Sequence, residues 1–132
     1  MTVILATFTP TKGKEDEVEN MLLRLVKKVR DKEPRIEIFK PYKAVRHADG
    51  CPEFCVYQRY PDEQTLDQHR HSEHYKSLIE EAISKGHLTT SPHYRRVGSN
   101  TESIVNDMSF WRNLGYDDWT YLYGSLEEQK SR

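Results

Sequence analysis

The stretch DQHRHSEHY, residues 67–75, holds His69, His71 and His74, half of the chain's six histidines. Imidazole does two kinds of chemistry near neutral pH. It ligates metals, and it moves protons, because its ordinary pKa of about 6.5 lies close to working pH. Spacing separates the two readings. Each helical residue turns by about 100°, so His69 and His71 point to roughly opposite sides of one helix and meet on one ion only from a loop. His69 follows Leu66 by three residues, which puts both on one helix side and turns His69 inward if that helix packs. His74 stands beside the apolar stripe of the next helix, and His71 falls on the outward side. Spacing therefore weighs against a shared metal, and for proton transfer it ranks His69 first and His74 second. Each of the two also has a plain structural reading, a helix-junction histidine bonded to a backbone carbonyl.

The elements that must position these residues follow from pattern. Residues 2–9, TVILATFT, are apolar and β-branched, and read as a buried strand. In the next segment Val18, Met21, Leu22, Leu25 and Val29 recur at helical spacing, with Glu15, Asp16 and Glu17 at the positive end. Pro34 ends that helix. Residues 35–46 read as a strand in which Pro41 implies a bulge or an edge. Asp49-Gly50 turns the chain into a second strand, 54–60. Asp62 caps a short helix ending near Arg70. Ser72 opens a longer one whose stripe is Tyr75, Leu78, Ile79, Ala82 and Ile83, closed at Lys85-Gly86. Residues 87–97 read as a last strand interrupted by Pro92. The order β-α-β-β-α-α-β gives one antiparallel sheet with helices on one face. The other face still carries large residues and needs a cavity, the tail or a second copy of the chain against it.

Composition narrows the function. At 132 residues the expectation is one domain. Hydrophobic residues make up 36%, charged residues 31%, and the net charge is −1. That balance, with short basic runs interleaved with acids, points away from nucleic acid and from membrane surfaces. The first ten residues lack the basic start of a secretory signal, so a cytoplasmic protein is expected. In a reducing compartment Cys51 and Cys55 are expected as free thiols. Residues 98–132 change in character. Phe110, Trp111, Tyr116, Trp119, Tyr121 and Tyr123 make the tail too aromatic to stay free, so it is expected to dock on the domain or its partner, with the final SLEEQKSR frayed.

With its neighbours included, the histidine stretch resembles the antibiotic biosynthesis monooxygenase domain. The matching positions are Glu33, Pro34, Gln58, Tyr60, Asp62, Leu66, His69, Ser72 and His74. The resemblance covers about residues 1–97, leaving 98–132 as an extension. It implies an α+β, ferredoxin-like unit that pairs face to face as a homodimer, a dimeric α+β barrel. It also implies oxidation of an aromatic or polyketide-like small molecule by O2 as co-substrate, with no cofactor, metal, flavin or haem. Two positions depart from the pattern. Arg35 stands where the family has Gly, and Gln58 replaces a Glu. The residues of the haem-degrading members are missing at Ala6, His69 and Ile79, which argues against that activity.

The chemistry implied is direct. A deprotonated phenol or anthrone can give an electron to O2, so the protein supplies a base, an oxyanion donor and a dry pocket. His69 and His74 are the catalytic candidates. Tyr57, Arg59, Tyr60 and Trp111 are the substrate-binding candidates, although Tyr57 and Tyr60 lie on opposite strand faces and only one can line a given pocket. The plainer readings, an ordinary surface ion pair for Arg59 and aromatic packing across a dimer for Trp111, carry more weight than substrate binding. A non-catalytic ligand-binding or stress-response dimer, and a cyclase or isomerase using the same histidines, remain the alternatives.

Overall fold

The computed structural model describes residues 1–122; Tyr123 and the SLEEQKSR segment lie outside the described residues. The elements are β1 (Thr2–Phe8), α1 (Glu15–Lys32), β2 (Ile38–Arg46), β3 (Pro52–Tyr60), α2 (Glu63–Arg70), α3 (Glu73–Ser84), β4 (His93–Arg96), α4 (Met108–Asn113) and β5 (Tyr116–Tyr121). They form one antiparallel five-stranded sheet in the order β4-β1-β3-β2-β5. The first four strands make the ferredoxin-like arrangement, two split β-α-β units sharing a sheet.

Strand alternation sorts the side chains onto two faces. Ala6, Phe8, Phe39, Phe54 and Val56 meet α1 and α3, where Val18, Met21, Leu22, Leu25, Val26 and Val29 of α1 are buried. Each such side chain contributes about 1.5–3 kcal/mol when fully buried. Val3, Leu5, Tyr42, Ala44, Cys55 and Tyr57 form the opposite face, and Val105, Phe110, Trp111 and Tyr116 of the same chain cover it. The cover that the sheet required is thus supplied within the chain. Among the described residues, the large apolar side chains left exposed are Met1, Ile83 and Ile104.

Two strand expectations change. β4 spans four residues rather than the whole of 87–97, and Leu88 instead bridges back to Pro10. β2 is internal, because β5 pairs along its outer side. Pro41 is tolerated there because its partner register lies one residue past the end of β5, where its carbonyl accepts from Leu122 N–H at 2.9 Å. The irregularity in the strand falls at Val45/Arg46 instead. The tight turn from α4 into β5 uses Gly115 at φ 96°, a conformation other residues rarely adopt.

Candidate active site

The chain breaks that frame the histidines are locally encoded. Glu33 ends α1, its N–H bonded to Val29 O at 2.8 Å, and Pro34 prevents another turn. The Asp62 side chain accepts from Thr65 N–H at 2.8 Å and from the Thr65 hydroxyl at 2.7 Å, which starts α2. At the other end of α2, the Ser72 hydroxyl donates to His69 O at 2.8 Å rather than capping α3. This bond holds the α2–α3 junction, so His69 and His74 approach one another from two helices.

His69 is completely buried, on the same side of α2 as Thr65 and Leu66. Its Nδ1 lies 3.1 and 3.0 Å from the two carboxylate oxygens of Glu33. His74 Nε2 lies 2.6 Å from the same carboxylate. Burial raises the Glu33 pKa, but the hydrogen bonds and charges of His69 and His74 outweigh it, and the carboxyl ends below its ordinary value. An ionised carboxylate only accepts, so His69 Nδ1 carries a proton and donates it. In neutral His69 the lone pair is then on Nε2, a buried atom with no hydrogen-bond partner. Three rings surround the imidazole, with centroids at 4.7 Å for Tyr75, 5.4 Å for Phe39 and 6.0 Å for Tyr60. The Tyr75 hydroxyl is also buried without a partner.

A carboxylate that fixes the tautomer of a buried imidazole, leaving the far nitrogen as an acceptor, is the arrangement of a general base. Tyr60 has a different capacity. Burial raises its phenol pKa, so it stays a donor, and its hydroxyl donates to Gln58 Oε1. Nearby, Tyr75, Ile79, Ile83, Pro92 and Tyr94 line a cavity of about 350 Å³ between α3 and β4, with Arg70 and Lys76 at its wall. His69 is not in the lining, but Tyr75 is, and its ring packs on His69.

The remaining candidates separate from this cluster. Tyr57 and Trp111 belong to the opposite sheet face. The Tyr57 hydroxyl is 2.7 Å from Thr101 Oγ1, and Trp111 Nε1 donates to Val105 O at 2.7 Å. Arg59 pairs with Glu37 and Glu102 at the surface. His71 is exposed, its Nδ1 2.8 Å from Asp67 O. Cys51 is exposed and Cys55 buried, both as thiols. Among the described residues no cluster of three or more His, Cys, Asp or Glu has the arrangement of a metal site. Sequence reasoning missed the role of Glu33, although the Glu-Pro break was in view, and missed Tyr75, which looked like ordinary stripe.

A split β-α-β sheet with helices on one face, and a buried histidine held by a partly buried glutamate at the helix ends, defines a ferredoxin-like α+β protein. The profile of the family "Antibiotic biosynthesis monooxygenase" matches residues 1–81, and the chain belongs to that family. Solved structures agree on the fold. An antibiotic biosynthesis monooxygenase superposes with a TM-score of 0.60 at 22% identity, over 75% of this chain and 98% of its own. Rv0793 from Mycobacterium tuberculosis gives 0.58 at 22%, over 77% and 97%. PA3566 from Pseudomonas aeruginosa gives 0.55 at 19%, over 73% and 90%. No curated protein matches the sequence significantly. No helix among the described residues is long and apolar enough to cross a membrane.

Proposed function

We propose that this protein is a cofactor-independent monooxygenase acting on a phenolic or anthrone-like aromatic metabolite, with O2 as co-substrate. The observation that carries this reading is the Glu33–His69 pair, with its free Nε2 enclosed by aromatic rings. His69 takes the acidic proton of the substrate, and Glu33 holds the resulting imidazolium. The carbanion or phenolate gives one electron to O2, and the two radicals recombine. For an anthrone, one oxygen atom enters the product as a carbonyl and the other leaves as water. Tyr75 moves aside, or relays the proton through its hydroxyl, to join His69 to the cavity between α3 and β4. His74 is the second holder of Glu33. The protein acts in the cytoplasm, and its homodimer pairs over the extension rather than over a bare sheet.

The test is O2 uptake by metal-free protein with anthrone and hydroquinone substrates, alongside product mass. An added oxygen atom abolished in His69→Ala agrees with the proposal. A product of unchanged mass indicates an isomerase or cyclase using the same base. The absence of His69 from the cavity lining favours a second reading, a ligand-binding protein without turnover. Ligand-dependent stabilisation with no O2 uptake under any condition decides for it.

A further inference from the structure

A second cavity, of about 210 Å³, lies on the other side of Glu33, between α1 and the start of β2. Val26, Val29, Ile36 and Phe39 supply its apolar lining, and Arg30, Glu33 and Glu37 its charges. It shares no lining residue with the cavity between α3 and β4. Both acids already have partners. Glu33 accepts from His69 and His74, and Glu37 accepts from Arg59 Nε at 3.0 Å. Arg30 does not share in these bonds. Its two terminal nitrogens are buried and have no hydrogen-bond partner. A guanidinium taken out of water without an anion is costly, and its planar fork matches a carboxylate with two parallel bonds.

We infer that Arg30 anchors a second ligand site, which takes a small aromatic carboxylate. The size argument sets the class. An engineered cavity of about 150 Å³ holds one benzene ring, so this cavity has room for a ring and its carboxylate. The Phe39 ring and the aliphatic side chains receive the apolar part, and Arg30, whose two terminal nitrogens are buried while the site is empty, turns into the cavity to meet the carboxylate. The site stands apart from the redox reading, because binding there requires no reaction at His69.

Calorimetric titration of the full chain with benzoate, and with neutral benzamide as its near-isostere, tests the assignment. Benzoate binds and benzamide binds at least about tenfold more weakly, the contribution expected of a charge-assisted bidentate pair. Arg30→Met weakens benzoate by about 10- to 100-fold while its ligand-free melting temperature equals or exceeds that of the wild type. If Arg30→Met does not fold, Arg30→Gln decides by the same criterion. Ile83→Ala, in the wall of the cavity between α3 and β4, leaves benzoate affinity unchanged, which separates the two cavities. Equal affinity for benzoate and benzamide, or wild-type affinity in the Arg30 variant, overturns the inference and leaves Arg30 without a ligand.

Discussion

His69 Nδ1 sits 3.1 and 3.0 Å from the two oxygens of the Glu33 carboxylate, a contact made across 36 residues of sequence. The carboxylate can only accept, so this contact determines which imidazole nitrogen is left for chemistry. Removing His69 with Ala should lower turnover by about 10²–10⁴-fold, the usual share of a general base. Glu33→Gln keeps the shape but offers an amide that can turn its N–H₂ toward Nδ1 and select the other tautomer. Its kcat should fall with KM little changed. Steady-state O2 uptake measures both, and a Glu33→Gln enzyme with wild-type kcat would remove Glu33 from the mechanism.

The same carboxylate links stability to pH. Its folded pKa is below the ordinary 4.5, with burial opposing and the two histidines prevailing. A depressed carboxyl stabilises fully above its unfolded pKa, and that contribution disappears as pH falls through the folded value. Wild type should therefore exceed Glu33→Gln in urea midpoint at pH 6–7, about neutral conditions, with the gap closing below pH 4.5. Glu33→Ala, which strips the buried His69 donor of its acceptor, should cost about 1–3 kcal/mol near neutrality.

The two thiols should react unequally. Burial pushes the Cys55 pKa up to about 11, and the side chain lies within the sheet face covered by the extension. Cys51 is exposed in the β2–β3 turn. Thiolate is the reactive form, so a disulfide reagent at neutral pH should modify one thiol per chain, and Cys51→Ser should abolish that reaction. Denaturation should release the second thiol. Fast modification of both in the folded protein would show that the extension opens.

The sheet and the three helices behind it were legible because their signals are local. Asp62 does cap α2, Leu66 does turn His69 inward, and Pro34 does stop α1. The site was only half legible. Periodicity places His69 on a buried side, but it contains nothing about Glu33, which meets His69 through tertiary packing of two helix ends. Tyr75 matched an apolar stripe, and its unpaired hydroxyl emerges only from the packed structure. In the tail, aromatic content forecast docking, but α4 and β5 are six residues each. Elements that short form through the sheet edge they join rather than through their own pattern.

Tyr75 distinguishes a structural ring from a working hydroxyl. Its oxygen is buried and bonded to nothing, so Tyr75→Phe should leave stability unchanged or raise it by about 1 kcal/mol. If the hydroxyl relays a proton between His69 and the cavity, the same variant should lose kcat while keeping its melting temperature. Tyr75→Ala, which removes the ring packed on His69 in the cavity wall, should instead retain turnover with a higher KM if the ring acts as a gate. Paired melting and kinetic measurements read the two roles separately.

The extension should prove integral to the fold rather than appended to it. Trp111 is fully buried, donates to Val105 O at 2.7 Å, and packs on Tyr42 with ring centroids 5.0 Å apart. Trp111→Ala should cost about 3–5 kcal/mol by leaving a cavity against the sheet, in a single transition seen equally by tryptophan fluorescence and far-UV dichroism. Ending the chain after Val97 removes the whole cover. Val3, Leu5, Tyr42 and Tyr57 would then face water as one apolar patch, and such patches recruit partners. The shortened protein should aggregate or form assemblies larger than those of the full chain, as sedimentation at matched concentration would show. A truncated chain with unchanged sedimentation and unchanged urea midpoint would mean that the extension contributes nothing to burying that face.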